Sequence, residues 1–187
     1  IFYLIYFNKI EIKVIIYNTT KMVGHLELIF GCMFSGKTTK LIDIYKKYEI
    51  CDISCVVINY SADTRYSNTH LVTHDKKKIP CIFTDNLTFN DDILKKSDVF
   101  LINEGQFFPN LYNNVIKLVE TYNKKVYVCG LDGDFERNTF GEMLKLIPRA
   151  DKFYKQYAIC KICKDGTKAS FSKRITSEKD QTVIGSD

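Results

Sequence analysis

Gly31-Cys32-Met33-Phe34-Ser35-Gly36-Lys37-Thr38 decides the fold of this chain. A glycine-bounded turn closing in Gly-Lys-Thr is the pattern of a phosphate-binding loop. Gly31 and Gly36 let the backbone turn tightly, so that N–H groups along Cys32, Met33, Phe34 and Ser35 meet phosphate oxygens. Lys37 adds positive charge beside the β- and γ-phosphates, and the Thr38 hydroxyl suits Mg²⁺. Such a loop must follow a strand and open a helix. Residues 26–30 form a short apolar run before it. After it, Leu41, Ile44, Tyr45 and Tyr48 recur at i, i+3, i+4 and i+7, one face of a helix.

Working outward, strand-like runs alternate with helix-like ones. Cys55–Tyr60 is β-rich, and residues 61–78 are polar without a period, which reads as a long loop. A short strand is expected at 79–83 and another at Val99–Ile102. A helix follows at about 110–122, then a strand at 125–131 that ends in Asp132-Gly133. This alternation predicts an α/β fold: a mostly parallel P-loop-type sheet with helices on both faces. Sites in such sheets gather at the C-terminal strand ends. Asn103-Glu104 stands at one such end, where a carboxylate can hold Mg²⁺ or accept the proton of an attacking hydroxyl. Phe135 and Phe140 follow another, and two rings there suit a planar base.

The bulk composition is compatible with this reading. With 187 residues, 45% of them hydrophobic and 26% charged, the chain can bury a core. A net charge of +5 suits an anionic substrate and is too small to argue for nucleic-acid binding. The 7 cysteines form no even framework, which points to a reducing cytoplasm. Residues 1–21 read as an upstream extension preceding a P-loop domain at 22–150. Lys9, Glu11 and Lys13 break the extension's apolar stretch, so no membrane span is expected. Residues 151–187 read as a small second unit joined at Pro148. Cys160-Lys-Ile-Cys163 within it has the spacing of half a zinc knuckle, and a closed structural site needs four ligands.

With these residues in place, the chain resembles the cytosolic-type (type II) thymidine kinases, including those of large DNA viruses. The resemblance spans about Gly24 to Asp187. It rests on Gly31–Thr38, Asp63-Thr64-Arg65-Tyr66, Thr73-His74-Asp75, Glu104-Gly105-Gln106-Phe107-Phe108 and Gly130-Leu131-Asp132-Gly133. It continues through Phe135, Arg137, Phe140-Gly141, Cys160-x-x-Cys163, Phe171-Ser172-Lys173-Arg174 and Val183-Ile184-Gly185. The resemblance implies phosphoryl transfer from ATP, carried with Mg²⁺, to the 5′-hydroxyl of thymidine, with Glu104 as catalytic base. It puts Asp63 and Arg65 near the phosphates and Leu131, Phe135 and Phe140 around the thymine. Gln181, Thr182, Val183, Ile184 and Gly185 would form a loop whose backbone bonds the base. It also implies feedback inhibition by thymidine triphosphate (dTTP), a homotetramer, and a structural Zn²⁺.

Three departures qualify it. The family has Asp where this chain has Asn103, and an amide oxygen is a weaker partner for Mg²⁺. Only one CxxC lies in the sequence, so Cys160 and Cys163 supply half of the zinc ligands. The spacing from Cys163 to Arg174 also looks about two residues longer than in the vertebrate and poxvirus pattern. The alternatives are a degenerate, non-catalytic nucleotide-binding protein and a P-loop kinase with another acceptor.

Overall fold

The computed structural model describes residues 3–7, 10–14, 24–63, 69–73 and 76–182. Within the N-terminal stretch, β1 (Tyr3–Phe7) and β2 (Ile10–Val14) pair antiparallel. The main unit then runs through β3 (His25–Gly31), α1 (Lys37–Ile50), β4 (Cys55–Tyr60), β5 (His70–Val72), β6 (Lys78–Pro80) and β7 (Ile82–Thr84). It continues with α2 (Asp91–Lys96), β8 (Val99–Ile102), α3 (Leu111–Ile116), β9 (Lys125–Gly130), β10 (Lys152–Gln156), β11 (Ala158–Ile159) and β12 (Lys168–Ala169). A π-helical turn, Lys117–Thr121, extends α3, so together they fill most of the expected helix.

Six strands form one sheet in the order β10-β3-β9-β8-β4-β7. Every pairing in it is parallel. Side chains alternate across a strand, and both faces of this sheet are covered. Leu26, Leu28 and Phe30 of β3, Phe100 and Ile102 of β8, and Val126 and Val128 of β9 belong to one core. That core also takes Leu94 of α2 and Leu111 and Val115 of α3. On the other face Ile29, Val57, Val99, Leu101, Tyr127 and Cys129 pack against Leu41, Ile42 and Ile44 of α1. Two-sided burial is why these strands read as continuous apolar runs.

Three local features differ from the sequence expectation. The long polar stretch 61–78 carries part of a small antiparallel pair, β5 with β6, which buries Leu71 and Ile79. The strand expected at 79–83 is two strands: Ile79 belongs to β6, while β7 joins β4 in the main sheet. Pro80 lacks an N–H and ends the first of them. Past the division expected at residue 150, β10 completes the edge of the main sheet against β3, with Phe153 opposite Leu28 and Gln156 opposite Gly31. Pro148 sits inside the 3-10 turn Met143–Arg149 rather than in a linker.

Candidate active site

β3 ends at Gly31, and a Cβ there would lie 2.3 Å from the Gln156 carbonyl oxygen, so edge strand β10 leaves no room for a side chain. Gly36 precedes α1 in the left-handed region, φ 80°, with no side chain capping the helix. The first N–H groups of α1 are therefore open to an anion. No acidic residue stands in that first turn to repel one. Lys37 is only 9% exposed, and its Nζ donates to the Cys32 carbonyl 2.7 Å away, inside the loop. Among the described residues, the buried Ser35 hydroxyl has no hydrogen-bond partner. An orphaned buried donor of this kind calls for a ligand oxygen. The loop is braced from the C-terminal segment: Met33 N–H donates to Ser172 Oγ at 2.9 Å and the Cys32 thiol to the Ala169 carbonyl at 3.2 Å.

The ends of β8 and β9 supply the chemistry. Asn103, 2% exposed, donates from Nδ2 to Asn59 Oδ1 at 2.8 Å and accepts the Cys129 thiol at 2.8 Å. Burial pushes that thiol up to about 12, so it stays protonated and donates. Asn59 in turn donates to Asp63 at 3.3 Å. Asn103, expected as a weakened Mg²⁺ ligand, thus has both amide atoms engaged within the protein. Glu104 follows in the left-handed region, φ 54°. Such a conformation is costly for a residue with a side chain and clusters at functional sites. Gln106 bridges its carboxylate to the next strand end, with Nε2 2.6 Å from Glu104 Oε2 and Oε1 2.9 Å from Leu131 N.

These groups face one cleft of about 430 Å³, within the range of small-ligand sites. The loop from Met33 to Thr38 forms one wall, with Asp63 and Glu104 on it as well. Part of the lining is aromatic. Tyr60 stacks on Phe107 at 5.1 Å, and Phe107 meets Phe140 edge to face at 5.3 Å. Leu131 and Phe135 extend that part of the lining. The Arg174 guanidinium covers one face of Phe135 at 3.8 Å. Arg174 also donates to the carbonyls of Glu178, Asp180 and Gln181. Gln181 Nε2 donates to Asp134 Oδ2 at 2.9 Å, closing a strap along the cleft. That amide, helped by the N–H groups of Asn138 and Glu136, holds the Asp134 carboxyl below its usual range.

Most of the expected site residues therefore converge. Gly31 and Cys32 lie buried behind the loop, while Gln181 and Thr182 reach the cleft. Arg65, Val183, Ile184 and Gly185 fall outside the described residues. Tyr60, Gln106, Phe107, Asp134, Ser172 and Arg174 are site residues without an assigned role in the sequence reading. Gln106, Phe107, Ser172 and Arg174 stand inside recognised short motifs, which was the available signal. Tyr60 had none beyond its place at a strand end.

Cys160 and Cys163 stand together and do not line the cleft, with Cys163 N–H 3.5 Å from Cys160 Sγ. Among the described residues no group of three or more His, Cys, Asp or Glu side chains could hold a metal ion. Two thiols alone do not make a closed zinc site, so no step is assigned to zinc. Among the described residues no helix is long and apolar enough to cross a membrane.

The sequence pattern of a protein family described as thymidine kinase matches residues 24–187. A thymidine kinase of Yaba monkey tumor virus (strain VR587) is 42% identical over 162 residues, covering 87% of this chain and 87% of the relative. One from sheeppox virus (strain KS-1) is 40% identical over 163 residues, 87% of this chain and 89% of the relative. Thymidine kinase 1 of Dictyostelium discoideum is 37% identical over 173 residues, 89% of this chain and 74% of the relative.

Proposed function

The chain belongs to the thymidine kinase family, and from that premise we propose that this cleft transfers the γ-phosphoryl group of ATP to the 5′-hydroxyl of thymidine, with Glu104 as general base. It is a deoxynucleoside kinase. The observation that carries the mechanism is the shared cleft: an uncapped phosphate loop, a strand-end carboxylate and a cluster of aromatic rings line it together. The triphosphate lies across the loop, where the α1 N–H groups, the Ser35 hydroxyl and Lys37 meet its oxygens. Thr38 is the hydroxyl that would hold Mg²⁺ carried with ATP, and the ion would supply positive charge against the phosphates. Thymine packs against Phe107, Phe140 and Leu131, with the strap over it. Glu104 takes the proton of the 5′-hydroxyl as that oxygen bonds to the γ-phosphorus, and the bond to the bridging oxygen breaks to release ADP.

A product-nucleoside triphosphate would offer this cleft both the base and the phosphates, which supports feedback inhibition by dTTP. Replacing Glu104 with Gln tests the assignment in a thymidine phosphorylation assay. The expected loss in kcat is about 10²–10⁴-fold with KM nearly unchanged, the signature of a group acting in the transition state. A kcat loss below about threefold would remove Glu104 from the chemistry.

A further inference from the structure

Gln106 is buried, 4% exposed, and its two amide atoms face two parts of the active site. Its orientation is fixed by chemistry. Leu131 N–H can only donate, so Oε1 must face it at 2.9 Å. Nε2 is then left to donate to Glu104 Oε2 at 2.6 Å. The surroundings are shaped to this side chain. A Cβ on Gly130 would come within 2.4 Å of Gln106 Oε1, and one on Gly141 within 2.2 Å of the Gln106 carbonyl. Glu104 itself sits at φ 54°, a conformation that needs external support to persist.

We infer that Gln106 is a positioning residue for the reaction: one buried amide sets the Glu104 carboxylate and the Leu131 backbone in a common frame. The inference rests on the assignment of Glu104 as base. Its physical content is registration. The proton acceptor comes from the end of β8 and the floor under the nucleoside from the end of β9. A misplacement of about 1 Å between reacting groups costs on the order of 10²-fold in rate. A single rigid amide spanning both strand ends removes that freedom, which two independent side chains would keep.

The test compares Q106E, Q106M and E104Q in the full chain, using steady-state kinetics and thermal melts. Q106E keeps the shape and the acceptor for Leu131 N–H, yet its ionised form has no donor for Glu104. It should melt a few degrees below the parent, because a second buried carboxylate stands beside Glu104, and while folded it should keep the thymidine and ATP KM values within about twofold as kcat falls about tenfold or more at neutral pH. Its kcat relative to the parent should recover as pH falls, because a protonated carboxyl at that position donates again. Q106M removes both bonds and should lower kcat at least as far while also raising the thymidine KM. If Q106M melts below the assay temperature, Q106E alone decides. Parent-like kcat for Q106E at neutral pH overturns the inference, as does a loss in Q106E that does not change with pH. The E104Q arm separates the two levels. If E104Q turns over like the parent, the assignment of the base fails and the inference falls with it. An impaired E104Q beside a parent-like Q106E leaves the base in place and removes only Gln106.

Discussion

Lys37 is held inside the phosphate loop by a backbone carbonyl, 2.7 Å from Cys32 O. Its ammonium serves the loop before substrate arrives and the phosphates afterward. Lys37→Ala should therefore lower kcat by about 10²–10³-fold, the usual cost of losing one electrostatic donor from a transition state. Stability should fall only by the cost of an unpaired carbonyl, about 1–3 kcal/mol. Paired kinetics and melts check both halves, and near-parent turnover at saturating ATP would contradict the role. Asn103 leads to a different expectation. It lies in a chain of hydrogen bonds from Asp63 through Asn59 to Cys129. Asn103→Asp would bury a carboxylate oxygen against the Asn59 amide oxygen, in place of the N–H that now donates to it. We expect destabilisation of about 1–3 kcal/mol at neutral pH, roughly 2–4 °C of Tm per kcal/mol for a chain of this size. The deficit should shrink as pH falls, because the protonated group is neutral. Supplying a cation opposite it, N59K with N103D, should recover stability beyond the sum of the single changes. Melts of the two single variants and the pair decide this, and an N103D variant as stable as the parent would refute it.

At the scale of elements, the site depends on how the turn after β9 and the strap at 174–182 hold each other. Asp134 organises the turn by accepting the N–H groups of Glu136 and Asn138, each at 2.9 Å, and then receives Gln181 from the strap. Arg174 supplies the second tie, stacking on Phe135 while donating to three strap carbonyls. Arg174→Met keeps the bulk and removes the donors, so the thymidine KM should rise about tenfold while the ATP KM stays within about twofold, the range for losing one charged hydrogen-bonding group. Equal effects on both substrates would show that the strap does not select the nucleoside. The pH dependence has a definite sign. Asp134 is lowered in the folded state, chiefly by Gln181. Its contribution is therefore complete above the ordinary aspartate value of about 3.9 and is lost as pH falls through the folded value. Gln181→Leu should weaken thymidine binding by a constant factor from pH 8 to 5, measurable by titration at several pH values. The sequence showed some of these elements and hid others for physical reasons. β3, the loop and α1 were legible because a motif and a helical period coincide there, and β8 because all four residues are buried apolar ones. α2 has six residues and Met143–Arg149 is a 3-10 turn, both too short to display a period. Glu104 was legible from its strand end. The roles of Arg174 and Gln106 come from contacts between distant segments, which spacing does not encode.

At the scale of the molecule, one sheet joins everything the reaction uses, and its edge strand comes from beyond the apparent end of the kinase domain. β10 is half polar, Lys-Phe-Tyr-Lys-Gln, with Phe153 and Tyr154 well exposed, so its sequence does not announce a strand of the main sheet. Its place is fixed by pairing. Asp151 N–H donates to the Leu26 carbonyl at 2.9 Å while Asp151 Oδ2 accepts from Leu26 N at 2.8 Å. Five residue pairs then run in register with β3, and Phe153 stacks on Phe30 at 6.1 Å. Without β10, the outer N–H and C=O groups of β3 would face solvent beside the phosphate loop. An unpaired edge strand invites pairing with another chain, and β3 is buried along almost its whole length. Residues 24–150 expressed alone should therefore aggregate or melt without a cooperative transition. Residues 24–157, which restore β10, should unfold cooperatively and remain monodisperse. Both lack Ala169, Ser172 and Arg174, so neither should phosphorylate thymidine at the parent rate, and stability separates from activity. Circular dichroism melts and light scattering on the two shortened chains check this. A cooperatively folding 24–150 fragment would place the boundary of the folding unit before β10 and make that strand an accessory to the sheet.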